Sequence, residues 1–175
     1  MERTNEELIK IIDTKQYEEA HPKPSILIEH QKNNPDSFYV QFIGCGGVGK
    51  STLINGLLNE VGFAETGITE TTKETGFYKV TNKVVHKTNR YNDVFLVDQP
   101  GIGGFKIKED GYLKKYGPGH FSYTFILCAD RFQELDLNLL QHLIFNNRPV
   151  AVVRTRCDEA VRNIRRDSRK MVSLI

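Results

Sequence analysis

The chain has 175 residues, of which 39% are hydrophobic and 26% are charged, with 24 Lys and Arg against 22 Asp and Glu. This length and composition indicate one globular domain with a real core, and they exclude a disordered chain. The net charge of +2 is too small to indicate binding to nucleic acid, so we expect no nucleic-acid partner.

The cysteines and the apolar runs bear on localisation. Three cysteines cannot all pair within one chain, which favours a reducing, cytoplasmic setting. No apolar run approaches the ~20 residues that a transmembrane helix needs. The N-terminus offers no apolar core for a signal peptide. We therefore expect a cytoplasmic protein.

The elements follow two patterns along the chain. Residues 1–36 are predicted to form a short N-terminal helical segment, with one helix over 4–20 and a second, short one over 26–28 that Ser25 caps. From residue 37 onward, short apolar strands alternate with helical segments. The predicted strands are 39–43, 94–97, 121–127 and 150–153, and the predicted helices are 50–60, 108–116, 131–146 and 158–171. This alternation predicts an α/β fold with a mostly parallel sheet flanked by helices.

A phosphate-binding pattern follows the first strand directly. Gly44, Cys45, Gly46, Gly47, Val48, Gly49, Lys50 and Ser51 match G-x-x-x-x-G-K-[ST] between a strand and a helix, and Thr52 follows them. The glycines let backbone N–H groups face phosphate oxygens, Lys50 adds a charge, and the Ser51 hydroxyl is a ligand for Mg²⁺. A plain glycine-rich turn is the alternative, but eight matching positions in the right context favour nucleotide binding. We interpret Cys45 as a tolerated loop residue rather than a redox switch.

The second candidate segment is Asp98–Gln99–Pro100–Gly101, at the end of a buried strand. Asp98 is predicted to hold Mg²⁺, and the Gly101 N–H to face a γ-phosphate. Between this segment and the phosphate loop, residues 66–75 contain five threonines that compete for the role of a Mg²⁺ ligand in a nucleotide switch. Composition alone does not choose among them.

The third candidate is Thr155-x-x-Asp158 with Arg156 between them, after the last predicted strand. A carboxylate here accepts hydrogen bonds from the guanine N1–H and exocyclic NH₂, which adenine cannot supply. The Arg156 side chain can stack on the base. An ordinary helix N-cap at Asp158 is the alternative. The pattern favours GTP over ATP.

With these motifs together, residues 38–158 resemble the immunity-related, interferon-inducible GTPases. Residues 66–74 resemble the first switch of that family, residues 98–103 its D-x-P-G-I-G motif, residues 112–132 the segments around its fourth strand, and residues 153–158 its V-R-T-K-x-D motif. The resemblance implies that residues 37–175 form a Ras-like P-loop GTPase domain that uses GTP or GDP and Mg²⁺.

The resemblance also implies roles for residues that composition does not select. It implies that Thr72 is the threonine that binds Mg²⁺, and that Thr72 and Lys50 are catalytic residues. It makes Glu70 a residue that promotes hydrolysis within a homodimer of GTPase domains, although a solvated loop carboxylate is an equal alternative. It implies peripheral contact with intracellular membranes.

Two departures from the family pattern, and one position that differs from Ras-like enzymes, change these expectations. Arg156 stands where the family has Lys. The sequence ends soon after the base-recognition motif, so we expect the last strand of the sheet to be lacking. Ile102 occupies the position of the water-positioning Gln of Ras-like enzymes, which predicts slow hydrolysis. The alternatives are a GTP- or GDP-binding scaffold without useful hydrolysis, and a P-loop ATPase or nucleotide kinase.

The C-terminal region is basic. Arg162, Arg165, Arg166 and Arg169 have the spacing of one helix face. A solvated face is the favoured interpretation, and contact with a membrane surface is the alternative.

Overall fold

The computed structural model describes Glu19, residues 21–59, Ala64, and residues 74–81, 91–102, 109–129, 131–158 and 161–162. In chain order the elements are α1 (Ser25–Asn33), β1 (Phe38–Gly44), α2 (Lys50–Leu58), β2 (Gly76–Lys79), β3 (Val94–Asp98), α3 (Glu109–Tyr116), a 3₁₀ turn (Pro118–His120), β4 (Tyr123–Cys128), α4 (Glu134–Phe145) and β5 (Val150–Arg154).

The strands form one sheet in the order β2-β3-β1-β4-β5. Strand β1 is parallel to both β3 and β4, and β4 is parallel to β5. Only β2 is antiparallel to its neighbour, β3, among the strands that the structure describes. The predicted mostly parallel α/β fold is therefore confirmed.

The sheet is covered on both faces because side chains alternate along its strands. On one face, Ile43 of β1 packs with residues of α3 and α4, and Tyr39 packs with Leu27 of α1. On the other face, Phe42 packs with Ile54 of α2. Each fully buried side chain of this kind contributes roughly 1.5–3 kcal/mol to folding. The core thus fixes the sheet on which the candidate site is built.

The four strands predicted from the sequence are present with ends shifted by a few residues at most, and β2 was not predicted. It is only four residues long and begins with Gly76, so it lacks the apolar run that marks the other strands. The helix predicted over 4–20 lies outside the described residues apart from Glu19. Of the helix predicted over 158–171, residues 158 and 161–162 are described, and they are helical.

The prediction that Ser25 caps a helix over 26–28 is wrong. The helix begins at Ser25 and runs to Asn33, and no side chain caps it. The Pro24 carbonyl instead accepts the first hydrogen bonds, from the backbone N–H groups of Leu27 and Ile28 at 3.0 and 3.1 Å. An extended Pro24 can take the position before the first turn because its missing N–H is not needed there.

The register brings the carboxyl ends of the parallel strands to one edge of the sheet. Phe42 lies opposite Asp98, Gly44 opposite Leu127, and Cys128 opposite Arg154. In parallel α/β sheets this edge is where ligands bind. The three motifs predicted from the sequence all begin there. No helix within the described ranges combines the length and the apolar character needed to cross a bilayer.

Candidate nucleotide-binding site

The phosphate loop depends on glycines at defined positions. Gly44, Gly47 and Gly49 have φ angles of +143°, +73° and +91°, a region that side chains disfavour. A Cβ atom on Gly44 would also lie 2.3 Å from the Leu127 carbonyl oxygen of β4. The loop can therefore curl tightly out of β1 only with glycine at its first position.

Helix α2 begins at Lys50 and points its N-terminus at this loop. Its first internal hydrogen bond runs from the Leu53 N–H to the Gly49 carbonyl at 2.9 Å. The N–H groups of the first turn have no partner within a helix and carry the positive end of its dipole. The Lys50 side chain is 6% exposed, and its Nζ donates to the Gly44 and Cys45 carbonyls at 3.2 and 3.1 Å. The loop and its lysine thus form a compact site for an anion.

Ser51 and Asp98 meet beside the loop. The Ser51 hydroxyl donates to Asp98 Oδ2 at 2.5 Å, and Asp98 is fully buried. A hydroxyl and a carboxylate side by side are the oxygen ligands that Mg²⁺ prefers, so these residues fit the metal. The described residues contain no group of three or more His, Cys, Asp or Glu that could hold a metal. A Mg²⁺ ion here would therefore need phosphate oxygens and water to complete its shell.

The D-x-P-G loop packs directly on the phosphate loop. A Cβ atom on Gly101 would lie 2.7 Å from both the N and the Cα of Gly46, so only glycine fits there. The next residue, Ile102, forms an isolated parallel bridge with Cys45, and its N–H donates to the Gly44 carbonyl at 3.0 Å. The structure thus places Gly101 against the phosphate loop, and the contact of its N–H with a γ-phosphate stays a prediction.

Two side chains hold the middle of the D-x-P-G loop. Gln99 is 1% exposed, and its Oε1 accepts a hydrogen bond from the Thr75 hydroxyl at 2.7 Å. The Tyr112 hydroxyl of α3 donates to the Pro100 carbonyl at 3.2 Å. Burial, aided by the nearby Tyr116, raises the pKa of Tyr112 well above its usual value, so the phenol stays protonated and can donate. The sequence assigned no role to Gln99 or Tyr112, and it did not predict that Thr75 contacts Gln99.

Ile102 points into the protein core. It is 2% exposed and packs with Ile43, Ile126 and Leu139. In this arrangement the side chain cannot orient a water molecule at a γ-phosphate, in agreement with the interpretation of this position from the sequence.

Replacing Ile102 by Gln is therefore expected to damage folding rather than improve catalysis. A buried amide without partners should lower the free energy of unfolding by about 2 kcal/mol. Denaturant unfolding measures this loss, and a turnover assay should show no gain. A stable Ile102→Gln protein with faster GTP hydrolysis would contradict the buried position.

The base-recognition motif is tied to the phosphate loop by two side chains. Thr155 Oγ1 lies 2.6 Å from the Val48 carbonyl oxygen, to which it donates. The Arg156 guanidinium donates to the Gly47 carbonyl, and Arg156 has a positive φ of 53°. Arg156 thus contacts the phosphate loop here, whereas the sequence suggested stacking on a base. Two hydrogen bonds therefore connect the two motifs.

A cavity of about 570 Å³ lies between α2 and the base-recognition motif. Its lining joins three groups of residues: the phosphate loop, one face of α2 that includes Thr52, and the segment from Val153 to Asp158. Asp158 is exposed on this cavity, and its carboxylate accepts a hydrogen bond from Arg162 one helical turn later. Three residues of the phosphate loop, Gly47, Val48 and Gly49, therefore share one concave surface with the predicted base residues Thr155, Arg156 and Asp158.

Two of the predicted site residues lie outside the described residues. They are Thr72 and Glu70. Arg165, Arg166 and Arg169 of the predicted basic helix face also lie outside the described residues. Sequence reasoning also missed the apolar wall of the cavity, formed by Leu53, Gly56 and Leu57. Their spacing with Thr52 on one helix face is the signal that could have identified them.

The environment of Cys45 favours the protonated form of its thiol. The side chain is half-buried, and its Sγ donates to Gln133 Oε1 at 3.5 Å. Burial, and then the charge of Asp136, raises the pKa of Cys45, while Lys50 lowers it by less. A protonated thiol is a poor nucleophile, which supports the interpretation of Cys45 as a tolerated loop residue.

The mostly parallel sheet, with the phosphate loop between β1 and α2, defines a protein of the P-loop fold. A family model described as Interferon-inducible GTPase (IIGP) matches residues 5–172. Interferon-gamma-inducible GTPase 10 of Mus musculus is 31% identical over 121 residues, covering 67% of this chain and 27% of that protein. Interferon-inducible GTPase 5 of Rattus norvegicus is 32% identical over 129 residues, covering 70% and 26%. The chain belongs to the interferon-inducible GTPase family, and it spans about a quarter of the length of these two relatives.

Bacterial proteins are similar as well. The probable GTP-binding protein EngB of Solibacter usitatus is 32% identical over 142 residues, covering 71% of this chain and 69% of that protein. A crystal structure of Aquifex aeolicus Era bound to GDP and AlF₄⁻ has a TM-score of 0.53 at 23% identity, covering 71% of this chain and 42% of that one. Era with MgGDPNP and a 16S ribosomal RNA fragment has a TM-score of 0.51 at 22% identity, covering 77% and 47%. These structures support the P-loop GTPase fold.

Proposed function

We propose that this chain binds guanine nucleotides and hydrolyses GTP slowly with Mg²⁺, and that pairing of two GTPase domains stimulates hydrolysis. One observation carries the proposal: the phosphate loop and the base-recognition motif line the same cavity and are hydrogen-bonded to each other. Membership of a GTPase family supports the choice of nucleotide.

In the proposed complex, different residues bind the phosphates, the Mg²⁺ ion and the base. Lys50, which lies inside the phosphate loop, and the N-terminus of α2 would neutralise phosphate oxygens. The Gly101 N–H would contact a γ-phosphate, and the packing of Gly101 on Gly46 supports this role. Ser51, Asp98 and, by resemblance, Thr72 would hold Mg²⁺, which neutralises charge that develops on the phosphate oxygens. Asp158 accepts hydrogen bonds from guanine in place of the one from Arg162. Thr155 and Arg156 hold the two halves of the site together.

The alternative is a scaffold that binds GTP or GDP without useful hydrolysis. The burial of Ile102 favours it, because this position supplies no polar group to orient a water molecule. Hydrolysis then depends on a second molecule that completes the site. Family resemblance supports a homodimer with Glu70 at the shared face, and a cytoplasmic protein that is peripheral on intracellular membranes is proposed on the same basis.

Specific activity is expected to rise with protein concentration if a dimer completes the site. Glu70→Ala should flatten this rise while GDP affinity is unchanged, because Glu70 is not expected to contact the nucleotide in the GDP state. The measurement is phosphate release from Mg²⁺–GTP over a hundredfold range of protein concentration.

Glu74→Ala is the matched control, because Glu74 is an exposed carboxylate in the same segment, residues 66–75, and has no assigned role. It should keep the full concentration dependence. Activity that does not depend on concentration, or equal effects of the two substitutions, would remove the dimer mechanism and leave the scaffold.

A further inference from the structure

A hydrogen bond joins the start of β2 to the D-x-P-G loop. In the antiparallel pair of β2 and β3, Gly76 lies opposite Asp98. The next residues outward are Thr75 and Gln99, and the Thr75 hydroxyl donates to Gln99 Oε1 at 2.7 Å. Because Gln99 is 1% exposed, water hardly competes for this bond.

The two residues of this bond flank different parts of the candidate site. Gln99 stands between Asp98, which holds the Ser51 hydroxyl, and Gly101, which packs on Gly46. Thr75 is the last threonine of the Thr-rich segment 66–75, only three residues after Thr72. Three residues of chain span at most roughly 11 Å, so a threonine ligand at position 72 would have to act within that distance of Thr75.

We propose that the Thr75–Gln99 hydrogen bond is a positioning link that couples the Thr-rich segment to the D-x-P-G loop and so favours guanosine triphosphate over diphosphate. The inference rests on the proposed function. A triphosphate with Mg²⁺ needs both a threonine hydroxyl from one segment and the Gly101 N–H from the other. A diphosphate needs neither of them.

The hydrogen bond lowers the conformational entropy that the two segments lose when they bind the triphosphate. When one segment binds, the bond restrains the other, so the second contact loses less conformational freedom. Without the bond, the threonine hydroxyl and the Gly101 N–H can each still contact the triphosphate and its Mg²⁺, but one contact no longer favours the other. The expected consequence is a loss confined to triphosphate binding.

The test compares affinities for GDP and for a non-hydrolysable GTP analogue with Mg²⁺. Thr75→Val removes the hydroxyl and keeps the shape, and Gln99→Leu removes the acceptor. Each should lower analogue affinity about three- to tenfold, the range that one neutral hydrogen bond supports, and should change GDP affinity less than about twofold. Thr75→Ser should restore the wild-type ratio. The double variant should be no weaker than either single one.

The chain offers a matched control in the pair Thr124 and Gln41. In the buried centre of the same sheet, Thr124 Oγ1 lies within hydrogen-bond distance of two acceptors, the Pro118 carbonyl at 3.0 Å and Gln41 Oε1 at 3.3 Å. Thr124→Val therefore breaks a similar bond away from the D-x-P-G loop. It should lower the melting temperature without changing the ratio of the two affinities.

Each other outcome overturns the inference. Equal losses for both nucleotides, or a changed ratio in Thr124→Val, would mean that general destabilisation is the cause. A loss in Thr75→Val but not in Gln99→Leu would make Thr75 a ligand rather than half of a link. A wild-type protein that binds neither nucleotide would remove the proposed function itself, and the inference with it.

Discussion

Lys50→Ala is expected to lower the affinity for GDP and for Mg²⁺–GTP by at least about a hundredfold. The ammonium group is almost fully buried within the phosphate loop, so its interaction with a phosphate is only weakly screened by solvent. Both nucleotides carry the β-phosphate that Lys50 is predicted to contact, and both should lose affinity. Titration with a fluorescent GDP and with a fluorescent GTP analogue measures the two losses.

Two further variants separate this effect from others. Lys114→Ala removes an exposed lysine of α3 and should leave both affinities unchanged. Ser51→Asn should mainly weaken Mg²⁺-dependent GTP binding, because Ser51 faces Asp98 rather than the loop lysine. Lys50→Ala that folds and still binds both nucleotides like wild type would show that the loop is not a phosphate site.

Asp158→Asn is expected to exchange guanine for xanthine as the preferred base. The carboxylate accepts from two guanine N–H groups, whereas an amide presents a donor to one of them. Xanthine carries a carbonyl where guanine has its exocyclic NH₂, so it pairs with that donor. GDP affinity should fall by at least about a hundredfold and XDP affinity should rise, because a polar mismatch in a binding site discriminates strongly.

Arg162→Ala provides the control for this substitution. Arg162 pairs with Asp158 on the surface, where both side chains are largely exposed, and such pairs contribute little. Its removal should change GDP affinity by no more than about twofold. Unchanged GDP affinity in Asp158→Asn itself would remove Asp158 as the base reader.

Strands β1, β3, β4 and β5 could be predicted from the sequence, and β2 could not. Strands β1, β3 and β4 are apolar runs buried on both faces of the sheet, so composition alone marks them. Strand β2 is half-exposed, and buried and exposed residues do not alternate clearly along it. It forms because the last residues of β3 offer an edge, which is a property of the folded sheet rather than of the segment Gly76–Lys79.

Some residues of the candidate site could also be predicted from the sequence, whereas some contacts between them could not. Lys50, Asp98 and Gly101 belong to local motifs whose spacing indicates their chemistry, and the structure brings them to one edge of the sheet. The bonds of Arg156 to Gly47 and of Thr75 to Gln99 join distant parts of the chain. Such contacts depend on strand register and side-chain direction, which a single sequence does not specify.

Displacement of a fluorescent GDP by competing nucleotides tests the central claim most directly, because it requires both the phosphate site and the base site. We expect GDP and GTP to displace the probe, and ATP to fail even at a hundredfold excess over them. Equal displacement by ATP and GDP, or no binding of the probe to the folded protein, would contradict a guanine-nucleotide site in this cavity.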